Sequence, residues 1–158
     1  MVILGIRTTV LALLGFCCGS FVNANIHETA SRHGSFGTLV AALDITRLTD
    51  DLSTPGPFTL FAPTDNAFGS LPPGLLRCLL RETNRSVLES ILLYHVASGA
   101  VYSDDLFQGQ RIPTLLSGAE LTVDFSEFLK INDSIVIGVD LEASNGVVHA
   151  ISSGESIH

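Results

Sequence analysis

The run Phe58-Thr59-Leu60-Phe61-Ala62-Pro63-Thr64-Asp65-Asn66-Ala67-Phe68 decides how the chain is organised. Its opening Phe58 to Phe61 is apolar and β-prone and lies between Pro57 and Pro63, which predicts a short buried strand. Pro63 then fixes the chain's exit. Thr64 is placed to cap a brief helix, with Asp65 favourably charged in its first turn. Phe61, Pro63, Thr64, Asp65 and Phe68 thus have a sufficient structural role where strand meets helix. An active site would need a nucleophile and a base placed together, and this run supplies neither pairing.

Upstream, Phe36, Leu39, Val40 and Leu43 recur at the spacing of one buried helical face, with Ser35 as the expected cap. Asp50 to Gly56 reads as a loop. Downstream, Ser86 and Glu89 form a capping-box pattern ahead of the apolar stripe Leu88, Ile91 and Leu92, and Tyr94-His95 closes that helix. Beyond Ala100 the period becomes strand-like. Leu121, Val123 and Phe125 alternate with polar residues, Asn132-Asp133 turns Leu129 to Ile131 into Ile135 to Ile137, and Asn145-Gly146 turns into Val147 to Ile151. Helices first and antiparallel strands second imply a single α+β domain.

The chain has 158 residues, with 16 acidic against 8 basic groups and a formal net charge of -8. That balance argues against a nucleic-acid binder, which needs a basic surface. Residues 1–24 contain one charge, Arg7, a short apolar run and small residues ending in Val22-Asn23-Ala24, the pattern of a secretory signal peptide cut after Ala24. The domain then spans 25–152, large enough to build a core without staples. Cys17 and Cys18 leave with the leader, so Cys78 remains alone and is expected as a small buried hydrophobe. Nothing later is apolar for long enough to span a membrane.

His95 and His149 have apolar neighbours and are expected to be at least partly buried and hydrogen-bonded, not catalytic. The other histidines are scattered, and no metal-ligand spacing, calcium loop, phosphate loop or nucleophile elbow is present, so no cofactor or metal is expected. Asn84-Arg85-Ser86 and Asn132-Asp133-Ser134 are sequons, with Asn132 the better-placed acceptor.

Phe58 to Phe68, Tyr94-His95-Val96 and Asn145-Gly146-Val147-Val148-His149, in that order and over residues 30–151, resemble the fasciclin domain family. The resemblance implies a wedge-shaped β-sandwich packed with several α-helices, in a secreted or cell-surface protein mediating adhesion or matrix contact. The family's adhesion-associated Tyr-His pair falls on Tyr94 and His95. Its Asp-Ile pair falls on Asp140 and Leu141, with leucine replacing isoleucine. Where the family continues after the histidine with Ile-Asp and an apolar closing strand, this chain reads Ala150-Ile151-Ser152 and then a polar tail, so residues 153–158 are expected to be frayed and a neighbouring strand edge open. The resulting expectation is a secreted, non-enzymatic adhesion or binding module, whose partner is an extracellular protein or a neutral glycan and no polyanion. The alternative is an extracellular carrier holding a small apolar ligand in a cleft between helices and sandwich.

Overall fold

A computed structural model describes residues 24–152; the expected leader over 1–23 and the tail at 153–158 lie outside the described residues. Six helices precede or interleave with seven strands among these residues. The first helix, α1 (Ile26–Arg32), starts at Asn25, whose side chain accepts from the Glu28 amide, and buries Ile26 and Ala30. Next, α2 (Gly37–Thr46) buries Leu39, Ala42, Leu43 and Thr46, close to the expected face. Its expected Ser35 cap is not used. The Thr38 amide instead donates to the Asp65 carboxylate at 2.8 Å, while the Asp65 amide donates to the Ser35 carbonyl. Part of the segment expected as loop forms the single turn α3 (Leu48–Asp51).

Thr64 caps α4 (Asp65–Gly69) by accepting from the Ala67 amide, as expected. After α5 (Leu75–Leu79), a 3-10 turn at Glu82–Asn84 runs directly into α6 (Arg85–Tyr94). That continuity removes the need for the Ser86–Glu89 capping box, because Ser86 already lies inside the helix. In α6, Leu88 and Leu92 are buried, whereas Ile91 turns outward. Cys78 is likewise exposed, contrary to expectation, because α5 lies at the surface with no residue fully buried.

The strands are β1 (Phe58–Pro63), β2 (Val96–Ser98), β3 (Arg111–Pro113), β4 (Glu120–Asp124), β5 (Lys130–Ile131), β6 (Ser134–Ala143) and β7 (Gly146–Ile151). Their order in the sheet is β2-β1-β7-β6-β5-β4-β3. Antiparallel pairing dominates, but β1 and β7 pair in parallel over their full lengths, Phe58 against Gly146 to Pro63 against Ile151. A bridge between Ala97 and Thr114 brings the far end of the sheet back to β2. The result is the expected α+β sandwich with two cores.

Leu60, Ala62, Val148 and Ala150 face the helices beside Leu39, Leu43, Leu88 and Leu92. Phe61 and Ile151 face the other way, into a cluster with Ile112, Leu121, Val123 and Ile131. Burial on both faces explains why β1 reads as a continuous apolar run without alternation. By contrast β4 alternates and ends at Asp124, leaving Phe125 outside the strand and exposed, where the period had suggested inclusion.

The turn from β6 to β7 is Ser144-Asn145. Asn145 Oδ1 accepts from the Ile26 amide at 3.0 Å, its Nδ2 donates to the Leu52 and Thr54 carbonyls, and its carbonyl accepts from the Phe58 amide. Gly146 follows against β1 so closely that a Cβ would lie 1.9 Å from the Phe58 carbonyl oxygen. The Asn-Gly pair therefore locks α1, the loop after α3 and β1 together.

Candidate functional site

Tyr94 stands at the last residue of α6, and its hydroxyl accepts from Asn132 Nδ2 at 2.6 Å. Asn132 occupies the two-residue turn between β5 and β6 with φ 54, a left-handed conformation that asparagine tolerates. Its Oδ1 accepts from the Thr122 amide, and its own amide donates to the Thr122 carbonyl. One side chain thus ties α6, β4 and the β5–β6 turn. Around them lies an open depression of about 610 Å³ lined by Tyr94, Gln108, Thr122, Asp124, Asn132 and Asp133 among others. Hydrogen bonds from Gln108 and Ser126 hold the Asp124 carboxyl below the usual carboxylate range.

His95 follows Tyr94, with the two rings edge-on at 6.0 Å. Its Nδ1 donates to the Ile91 carbonyl at 2.8 Å. Burial lowers its pKa, and the bond to Ile91 works weakly against that.

The second expected contact pair lies on β6, where the register against β7 shifts between Gly138 and Leu141. Asp140 sits in that irregularity with φ 57. Its two carboxylate oxygens accept from the Ser103 amide at 2.8 Å and from the Ser103 hydroxyl at 2.5 Å. The Asp140 amide donates to His149 Nδ1 at 3.3 Å, which leaves the His149 proton on Nε2, donating to the Val101 carbonyl at 2.7 Å. Leu141 pairs with Val148 and packs, half-buried, on the helical core. His149 is completely buried and stacks on Phe61. Desolvation lowers its pKa, opposed by the Val101 bond and by the Asp140 charge.

Ser103, Asp140 and His149 together do not form a nucleophile system. The hydroxyl donates to the carboxylate and not to the imidazole, and both ring nitrogens are occupied by backbone groups. Their arrangement instead fixes the β6 irregularity and the loop at Ser103. Sequence reasoning missed Ser103 and the bracing by Asn132, since neither has a periodicity or motif that links it to its distant partner. The Tyr94 and Asp140 pairs belong to different parts of the molecule: Tyr94 to the β4–β5 end, Asp140 to the irregular stretch of the β6–β7 ladder.

At the sequons, Asn84 Nδ2 donates to the Cys78 carbonyl at 2.8 Å and to Cys78 Sγ at 3.3 Å, while Asn132 carries the bond to Tyr94. No group of three or more His, Cys, Asp or Glu is placed to hold a metal among the described residues. No helix among them is long and apolar enough to cross a membrane.

The Fasciclin domain profile matches residues 34–153. Synechocystis protein sll1735 is 40% identical over 129 residues, covering 82% of this chain and 95% of that protein. The rabbit transforming growth factor-beta-induced protein ig-h3 is 40% identical over 119 residues, 75% of this chain but 17% of that longer protein. Among solved structures, the FAS1 domain pair of the insect cell adhesion molecule fasciclin I superposes with a TM-score of 0.57 at 20% identity, covering 74% of this chain and 44% of that one.

Proposed function

The chain belongs to the fasciclin domain family, and from that membership we propose that it is a secreted, non-enzymatic adhesion or binding module acting through its protein surface. One observation carries the reading most directly. The Tyr94 depression is open, and hydrogen bonds hold the Tyr94, Gln108, Asp124 and Asn132 side chains in its lining, which suits contact with a protein or glycan surface. An apolar carrier would want an enclosed, mostly hydrophobic cavity, and this site is neither. The insect relative described as a cell adhesion molecule supports the same direction. With a formal net charge of -8, a basic protein face or a neutral glycan suits the surface better than a polyanion.

Of the proposed contacts, Tyr94 lines this depression, and His95 follows it as the residue that caps α6. Asp140 already spends both carboxylate oxygens on Ser103, so its contribution to a partner is the weaker of the two. The test is binding of the purified protein to cells or extracellular matrix, comparing the parent with Tyr94→Phe and Asp140→Ala. Weaker binding by a folded Tyr94→Phe protein is the expected result. If both variants stay folded and bind like the parent, these contacts are wrong. Mass spectrometry of the extracellular fraction, seeking a product that starts at Asn25, tests secretion and the proposed cut, and the same spectra report glycan at Asn84 or Asn132.

A further inference from the structure

Two exposed faces of opposite character stand apart on the molecule. At the first, Phe107 is 62% exposed, Phe128 62% and Phe125 43%. These rings are on neighbouring loops, because Gln108 spans the gap: its Nε2 donates to Asp124 and its Oε1 accepts from the Phe125 amide. Three exposed phenylalanines on two tied loops are costly in water and mark an interaction surface. The loops and their flanking turns, residues 104–110 and 124–133, carry five carboxylates and one base, Lys130.

The second face is the α5–α6 corner. Leu75 is 40% exposed and Val87 52%, and between them Arg77 and Arg81 are also exposed. Arg85 belongs to the same stretch but donates to the Thr46 carbonyl. Residues 75–87 hold three arginines against one acid, Glu82, in a chain with 8 basic residues altogether. The two faces are divided by α6, which runs from Arg85 at the basic corner to Tyr94 beside the acidic loops, about 15 Å along its axis. One copy therefore cannot close its basic face onto its own acidic face.

We infer that the acidic, phenylalanine-bearing loops of one molecule dock on the arginine-rich α5–α6 corner of a second copy. Charge complementarity selects the pairing: guanidinium groups meet carboxylates and phenyl faces, while Leu75 and Val87 cover apolar surface. Two different patches meet, so the contact is heterologous, and each bound copy still offers one free face of each kind. Such contacts propagate unless a rotation closes them into a ring. This inference does not depend on the adhesion reading.

Sedimentation velocity of the purified protein over a dilution series, at low and high salt, tests it. The expected result is an average sedimentation coefficient that climbs with concentration and falls back in high salt, where the charge pairing is screened. Two variants isolate the faces: Phe107→Ser with Phe128→Ser, and Arg77→Glu with Arg81→Glu. Each should melt like the parent and stay monomeric at concentrations at least about tenfold above those at which the parent associates. The decisive step mixes them. Each variant keeps the face the other has lost, so an equimolar mixture should form a dimer and stop there.

A parent protein that is monomeric throughout, a folded variant that associates like the parent, or a mixture that remains monomeric each overturns the inference. Flotation with phosphatidylcholine vesicles by a monomeric parent would assign the phenylalanines to lipid and overturn it as well. Matrix binding measured on the same variants separates the two readings, since monomeric variants that still bind leave adhesion standing on its own.

Discussion

His149 shows how one side chain can be read correctly as to burial and still conceal its work. Its apolar neighbours announced a core position, but its partners, the Asp140 amide and the Val101 carbonyl, come from parts of the chain with no shared pattern. Both His149 and His95 have pKa values lowered mainly by burial. The unfolded chain, with histidine near its ordinary value of about 6.5, takes up protons first as pH falls. Stability is therefore full above that value and is lost as pH drops from about 6.5 toward the folded-state values, by at most about 1.4 kcal/mol per pH unit for each histidine. Calorimetric melting across mildly acidic buffers should show a falling Tm, and His149→Gln, which cannot gain a charge there, should show a shallower fall. Cys78 makes the opposite point, because its apolar neighbours suggested burial although α5 lies at the surface. A thiol reagent should alkylate Cys78 in the native protein without denaturant, and peptide mass mapping locates the label.

Among the elements, strands and helix interiors were more legible than helix starts. Periodicity reports which face is buried, and Leu39, Leu43, Leu88 and Leu92 are buried as their spacing requires. A cap can come from anywhere in the fold, and α2 takes its cap from Asp65, which sequence pattern assigns only to the start of its own helix. Asp65 serves both: its residue opens α4 and its carboxylate satisfies the Thr38 amide. Asp65→Ala should cost about 1 kcal/mol, the usual loss for an N-terminal cap, readable as a lower urea midpoint. The Thr38 amide is also the main cause of the lowered Asp65 pKa. This carboxylate's contribution is present above its unfolded value near 3.9 and disappears as pH falls through the lower folded value, so the parent and Asp65→Ala curves should converge in strong acid. The Phe58 to Phe68 run was legible because it is local, strand, proline and cap in sequence. The candidate contacts were legible only as positions, since the bonds from Asn132 to Tyr94 and from Ser103 to Asp140 span 38 and 37 residues.

At the scale of the whole molecule, the parallel pairing of β1 with β7 is the arrangement that antiparallel turn signals could not announce, because no turn connects those strands. It places the early apolar strand and the last described strand side by side in the interior of the sheet, each buried on two faces, between the helical core and the sandwich core. Neither core can form completely until β7 arrives. Asn145 and Gly146 set that arrival, the first by bonding α1 and the loop after α3, the second by letting β7 lie directly against Phe58. Gly146→Ala would force a Cβ into the Phe58 carbonyl, so it should lower stability by at least about 2 kcal/mol and weaken both cores together. Native-state hydrogen exchange distinguishes this from local damage. In the parent, the β1 and β7 amides should exchange only through global unfolding, while α5 and β3, short and largely exposed, open locally. In Gly146→Ala, protection at Leu60, Phe61 and Val148 should fall by the full loss in global stability, with α5 unchanged. Equal loss of protection at α5, or β7 amides that open independently of β1 in the parent, would mean that the two cores are not coupled through the central strand pair.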